Sequence, residues 1–447
     1  MFQTLKNAWK TQELKTKLLF TLLIVILYRL GSAIPVPWIN SAAVASFSAS
    51  ANMAVQMIAG DAFAQATLFA LSVSPYITAS IIIQLLTVAI PALERLAKDG
   101  EEGKKKIAMI TRIVTMVLAV ITALGYALTI VNTAGFANLG NTNKVFAVAV
   151  ITACFCAGAA IVMWMAEKIN EFGIGNGISI ILFANIIARL PQVFVVLGEQ
   201  IIDNINYVAN VSQAAEAIAG LVISIVWAIL IIAFLVGIVW LIVWFNDSER
   251  RIPVQYAKKV VGRKMYGGQS SNLPLSLNMN GVMPIIFSSS IVSLPATIAM
   301  FFPNSGFAQG VEKVFGHTSP LYLILYIALI FAFAFFYVMI SFNPVEVANN
   351  IKNNGGAIPG IRTGRPTAEY ISKVLNRVTL LGALFLAVIA GFPILVNMIV
   401  ELITKTQVFT AFAFGGSSML IVVGVALETF RDIEAQMTMR NYKGFLD

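Results

Sequence analysis

Ten runs of apolar residues alternate along the chain with polar or charged stretches. They cover residues 18–38, 74–90, 110–131, 145–165, 177–197, 218–245, 281–302, 321–342, 378–396 and 408–427, each near the length of about 20 residues that a helix needs to cross hydrocarbon. None shows the polar–apolar alternation of a barrel strand. Each is therefore expected to span as an α-helix that satisfies its own backbone hydrogen bonds. The pattern predicts an all-α polytopic membrane protein. With five spans on each side of residues 198–217, the two halves (18–197 and 218–427) must have opposite orientations, as in inverted repeats whose working site lies between the halves.

The basic residues set the orientation. All but five of the 30 Lys and Arg lie in segments that share one side of the membrane: 1–17, 92–112, 166–176, 246–277, 343–377 and 428–447. Lys144, Arg189, Lys313 and Lys405 fall outside or at an outer edge, and Arg29 sits late in the first span, where it can snorkel outward. This asymmetry predicts cytosolic amino and carboxyl termini. The first apolar run continues into Pro35 and Pro37 without a small-residue cleavage site, so it is expected to be retained as an anchor. Composition agrees. Apolar residues make up 58% of the chain and charged residues only 11%, against roughly 25% charged in soluble domains, and mean hydropathy is +0.84.

Three connections stand out. Two cytosolic loops are long and basic: 246–277 carries Arg250, Arg251, Lys258, Lys259, Arg263 and Lys264, and 343–377 carries Lys352, Arg362, Arg365, Lys373 and Arg377. Orientation needs only a few charges near the membrane, so these loops are expected to do more than set topology. The external segment 39–73 is 35 residues long with Asp61 as its sole charge. So apolar a loop should not sit in water, and it is expected to fold back among the spans, with Gly60 available for the turn.

Catalytic signatures are sparse. No G-x-x-x-x-G-K-[ST] occurs, and Gly173-Ile174-Gly175-Asn176-Gly177 has no strand before it. His317 is the only histidine and falls in an external loop, too little for a metal centre or a Ser–His pair. Cys154 and Cys156, two apart on a helix, point to different faces and would neither bridge nor chelate. An ion-coupled secondary transporter is the alternative reading. Such carriers bury carboxylates or bases at mid-membrane, whereas Glu167, Glu401 and Glu428 lie at span ends. The mid-span polar residues are the amides Gln84 and Asn185, expected to act as glue between helices.

Several stretches carry a resemblance. They are Ser74-Pro75-Tyr76-Ile77-Thr78-Ala79-Ser80-Ile81-Ile82-Ile83-Gln84-Leu85-Leu86, the run Gly173 to Ile180, Arg250-Arg251-Ile252-Pro253-Val254-Gln255-Tyr256-Ala257-Lys258, and Leu273-Pro274-Leu275 with Asn278, Gly281, Pro284 and Phe287. Asn343-Pro344, Pro359-Gly360-Ile361-Arg362 and Phe414-Gly415-Gly416-Ser417-Ser418-Met419-Leu420-Ile421 follow in order. In these, the chain resembles the SecY family, the pore-forming subunits of the bacterial protein-export channel. The resemblance implies ten helices in two halves, hinged between the fifth and sixth, around an hourglass pore in the cytoplasmic membrane. It implies SecE clamping the bundle, SecG at its side, and the SecA ATPase or the ribosome docking on the basic loops, with preproteins and their signal sequences as substrates and no cofactor. By position, Val73, Ile77, Ile178, Leu182, Ile286 and Ile421 align with the family's pore ring, with Val73 and Leu182 standing where the best-known members carry Ile. Asn52 to Gln65 (among them Asn52, Met53, Val55, Met57, Ile58, Gly60 and Asp61) align with the external plug. Gln84 and Asn278 align with the lateral gate. The motor or ribosome contacts fall on Arg250, Arg251, Lys258, Lys259, Arg263, Lys264, Arg362 and Arg365, with Arg362 matching the arginine needed for SecA-driven export.

Overall fold

In the computed structural model a helix covers all or part of each of the ten apolar runs among the described residues. The residues described are 9–39, 66–132, 143–210, 214–256, 259–261, 264–266, 270–279, 281–299, 301–302, 305–316, 319–404 and 416–443. The first half comprises α1 (Gln12–Ser32), α2 (Ser74–Ala89), the short α3 (Pro91–Lys98), α4 (Gly100–Asn132), α5 (Lys144–Phe172) and α6 (Gly177–Asn210). The second half comprises α7 (Ala214–Asn246), α8 (Met283–Ala299), α9 (Gly306–Phe315), α10 (Pro320–Ser341), α11 (Pro344–Asn353), α12 (Arg365–Thr404) and α13 (Ser417–Lys443). The segment read as an external hinge loop at 198–217 is mostly helical, since α6 runs to Asn210 and α7 starts at Ala214.

Several helices outrun their apolar stretches. Helix α12 begins at Arg365, well before its apolar run, and α13 continues past its own to Lys443. Among the described residues, five helices are long and apolar enough to cross a bilayer by themselves: α4, α5, α7, α10 and α12. A sixth span is the pair α2 and α3, bent by 102° between Ala89 and Pro91. Proline explains the bend, because it disfavours helical geometry in the residue before it, and Ile90 is extended at φ −108°, ψ 115°. Sixteen residues carry α2 about 24 Å, so the chain turns soon after crossing and lays Glu94, Arg95 and Lys98 of α3 along the surface. Large apolar side chains face outward, among them Val236, Trp240 and Trp244 on α7 and Leu384 and Val388 on α12. Only a lipid solvent makes such a surface tolerable.

The halves meet along two seams. On one, α2 and α4 touch α8; on the other, α6 touches α7 and α13. One apolar cluster joins both halves, from Tyr28 on α1 and Ile181 on α6 to Ile285 on α8 and Leu420 on α13. A second lies within the first half, where α4 and α5 pack on Val36 and the segment Ala66–Leu71, with Cys154 and Cys156 at its margin. There Gly158 of α5 lies so close to the Leu68 carbonyl that any Cβ would collide with it.

The two long basic loops fold together. Strand β1 (Glu249–Tyr256) pairs antiparallel with β4 (Ser270–Ser276), from Glu249 opposite Ser276 to Gln255 opposite Ser270. Between them β2 (Lys259–Val261) and β3 (Lys264–Tyr266) form a small hairpin. The other edge of β1 takes β5 (Gly356–Ala357), from the second loop. Ile252, Val254 and Leu275 then pack against Ala348 and Ile351 of α11, Ile358, and Ala368 and Ile371 of α12. What the sequence presents as two loops is one folded unit, which holds the β-strands found among the described residues.

Candidate functional site

The six expected ring residues lie on or beside four helices and all belong to, or pack against, the one apolar cluster that joins the halves. Val73 immediately precedes α2 and Ile77 follows one turn later; Ile178 and Leu182 share the first turns of α6; Ile286 is in the first turn of α8, and Ile421 is one turn into α13. Val73, Ile77, Leu182 and Ile286 are buried in the cluster that joins the halves, and Ile178 and Ile421 pack against it partly buried. Each half supplies two of the four helices. Six aliphatic side chains offer water no hydrogen bond, the lining from which a narrow waist gates by dewetting.

Beside the first-half members of this set lies a buried polar cluster. Tyr28 of α1, Ser72 and Asn185 of α6 are 0%, 1% and 2% exposed. The Tyr28 hydroxyl lies 3.0 Å from Ser72 Oγ and donates to Asn185 Oδ1 at 2.8 Å, while Asn185 Nδ2 donates to Ser72 Oγ at 3.0 Å. The expectation that Asn185 binds helices together thus acquires named partners. Tyr28 and Ser72 gave no sequence signal, one lying within an apolar run and the other just ahead of one.

The two seams are held differently. At one end of the α6/α13 seam, Leu14, Ile174 and Ile433 form an apolar contact. Lys17 Nζ donates to Gln436 Oε1 at 3.2 Å, and the Gly175 amide to Asp432 Oδ2 at 3.3 Å. Across the α2/α8 seam a long hydrogen bond runs from Gln84 Nε2 to the Tyr337 hydroxyl of α10 at 3.3 Å. Gln84 Oε1 is buried without a partner among the described residues. Phe287 of α8 packs on Tyr337 and Phe333 beside it. Asn278 does not bond Gln84; its Nδ2 donates to Asn246 Oδ1 at 2.7 Å. Both gate candidates are nonetheless linked through Tyr337, which shares a cavity of about 550 Å³ with Asn278. That cavity is also lined by Asn246, Glu428, Arg431 and Asp432. Arg431 closes one wall, donating to the Asn246 carbonyl at 2.8 Å and to Asp247 Oδ1 at 3.1 Å. Glu428, just past the apolar run of α13, has its carboxyl pKa raised by desolvation and, less, by Asp432.

The unit folded from the two basic loops displays the basic residues. Gly360 and Gly364 take φ of +80° and +97°, geometry that side chains resist. They bracket a tight loop that presents Arg362, whose carbonyl accepts the Thr367 hydroxyl at 2.8 Å. Arg250 and Arg362 are exposed and have no carboxylate partner among the described residues. Arg251 pairs with Glu249 and Arg365 with Glu369. Lys259 and Lys264 lie on β2 and β3. Lys258, Arg263, His317 and the expected plug, Asn52 to Gln65, lie outside the described residues.

This is a polytopic membrane bundle whose two halves share one apolar cluster, tied along one seam by an apolar contact and two hydrogen bonds and along the other by one long hydrogen bond among the described residues. Comparison with known proteins gives the family. A model of the SecY family matches residues 67–430. The chain is 43% identical over 462 residues to the protein translocase subunit SecY of Streptomyces coelicolor, with 100% of each chain covered. In fold it is similar to a solved structure of a protein conducting channel, with a TM-score of 0.64 at 17% identity over 95% of this chain and 92% of that one. It is similar also to Sec61 in the canine ribosome-channel complex from the endoplasmic reticulum, with a TM-score of 0.60 at 16% identity and the same coverage. The chain belongs to the SecY family.

Proposed function

We propose that this SecY-family chain, the channel subunit of a protein translocase, passes unfolded preproteins through the waist formed by Val73, Ile77, Ile178, Leu182, Ile286 and Ile421. Apolar segments leave sideways between α2 and α8. The observation that carries this reading is the convergence of six aliphatic side chains from both halves in one cluster. An aliphatic waist stays dry when empty and has no group with which to select a sequence, so any extended chain can pass. The lateral exit is placed on the α2/α8 seam because it is the lightly held one. Asn52 to Gln65 act as a plug on the outer side.

Energy comes from partners. The exposed arginines of the cytosolic unit, Arg250 and Arg362 foremost, receive the SecA ATPase or the ribosome through charge-assisted hydrogen bonds to carboxylates or phosphates. The similarity to Sec61 in a ribosome-channel complex supports the ribosome as one such partner. SecE and SecG complete the complex in the bacterial cytoplasmic membrane, with both termini cytosolic. The test is reconstitution in lipid vesicles. With SecA and ATP, preprotein should become protected from added protease, and no solute should be taken up saturably on an imposed ion gradient. Gradient-driven uptake without preprotein transport would replace this reading with the carrier.

A further inference from the structure

Tyr28, Ser72 and Asn185 form a closed cycle whose direction is fixed by chemistry. Asn185 Oδ1 can only accept, so the one hydroxyl proton of Tyr28 is committed to it at 2.8 Å. The 3.0 Å contact between the two hydroxyls must then be donated by Ser72. Ser72 Oγ accepts in turn from Asn185 Nδ2 at 3.0 Å. Three donors meet three acceptors, each bond polarising the next. All three residues are buried, and the surrounding cluster is apolar.

The cycle sits where it can govern the waist. Ser72 is bonded in sequence to Val73, and Asn185 lies one helical turn beyond Leu182 on α6. It therefore fixes the start of α2 against α6, the two elements that carry Val73, Ile77, Ile178 and Leu182. The chain leading into it is held as well. Phe69 stacks on Tyr28 with ring centroids 5.6 Å apart and planes 8° from parallel. Leu68 donates its amide to the Ile34 carbonyl at 2.9 Å. Ala66 and Ser72 take φ of +47° and +48°, unusual for residues with side chains. A turn needing only that geometry would suit glycine better. Serine at position 72 is accounted for by the hydroxyl it brings to the cycle.

We propose that the Tyr28–Ser72–Asn185 cycle is a positioning device that holds the first-half side of the waist as one rigid piece, so that the resting channel is tight to ions. This rests on the ring reading given above. The cycle lies wholly within the first half and stays intact when the halves part, so it sets the resting seal without opposing opening. Tyr28, Ser72 and Asn185 are positioning residues; none belongs to the ring itself.

The test uses the intact purified complex in planar bilayers without substrate, comparing the parent with Tyr28→Phe, Ser72→Gly and the double variant. Ser72→Gly relieves the backbone while removing the hydroxyl, so a residue that serves only the turn would leave the channel tight. The expected result is an increase of about tenfold in the time spent conducting for each single variant, the equivalent of one buried hydrogen bond lost. Because a cycle is broken only once, the double variant should leak little more than either single one. Tight single variants, or a double variant whose leak is the product of the two, would overturn the proposal. A triple Ile77, Ile178, Ile286→Ser variant recorded in parallel separates it from the ring reading. If that variant leaks while the cycle variants stay tight, the ring stands and the positioning role falls. If all stay tight, the ring reading falls and the positioning role with it.

Discussion

The hydrogen bond between Gln84 and Tyr337 gives a prediction whose sign differs at its two ends. At 3.3 Å it is long, worth about 0.5–1 kcal/mol. The other amide atom, Oε1, is buried without a partner among the described residues, a cost of about 1–3 kcal/mol to the closed seam. Gln84→Leu removes the weak bond and the larger penalty together, and leucine suits both the helix and the apolar seam. The closed form should gain about 1 kcal/mol, a shift of roughly fivefold toward closure. Tyr337→Phe does the reverse. It keeps the ring against Phe287 but strands Gln84 Nε2, and should move the balance about fivefold toward opening. The assay is open probability in single-channel records of the purified complex as an apolar signal peptide is titrated in. Gln84→Leu should need more peptide than the parent and Tyr337→Phe less. Shifts in the same direction would refute the reasoning, because removing either end of a simple stabilising bond would favour opening.

Three further outcomes follow from particular residues. Arg362→Glu should cut SecA-driven export at least tenfold with the complex still assembled, and Arg362→Lys should also impair it where planar two-point contact matters; export at the parental rate would remove Arg362 from the docking surface. Glu428→Gln should raise the thermal midpoint at pH 7.5. The carboxyl is raised from its usual 4.5, so the stability it costs sets in as pH rises above that value and is absent below it; a gain that persists at pH 4 would contradict this sign. Gly158→Val should lower the thermal midpoint by several degrees, because its Cβ would meet the Leu68 carbonyl and lift Ala66–Leu71 off α5; an unchanged midpoint would show that this contact is not needed.

What the sequence made legible was set by the membrane. Apolar length marks the hydrocarbon-crossing part of each spanning helix, and lysine and arginine cluster in the connections at one end of the spans. The helix ends were not legible, because the polar turns that carry α12 back to Arg365 and α13 on to Lys443 are helical without being apolar. The sheet was hidden for another reason. Ile252 and Val254 alternate with Arg251 and Pro253 as a half-buried strand should, but the basic residues masked the signal. Its partners lie at Ser270–Ser276 and, about a hundred residues on, at Gly356–Ala357. Pairings that distant leave no local mark. Asn185 stood out as an amide in an apolar run, whereas Tyr28 and Ser72 are recognisable only once the fold brings them to it.

The central claim is that the six aliphatic residues seal the channel, and conductance measures it most directly. Ile77, Ile178 and Ile286 are to be replaced together by serine, and the purified complex recorded in a planar bilayer without substrate. The control places serine at Val88, Ile187 and Ile298, exposed positions on the same three helices. Several hydroxyls in the waist should let water and ions persist there, so the ring variant should conduct small ions at rest while the control stays tight. A ring variant as tight as the control would show that these residues only pack the core and that the pore is sealed elsewhere.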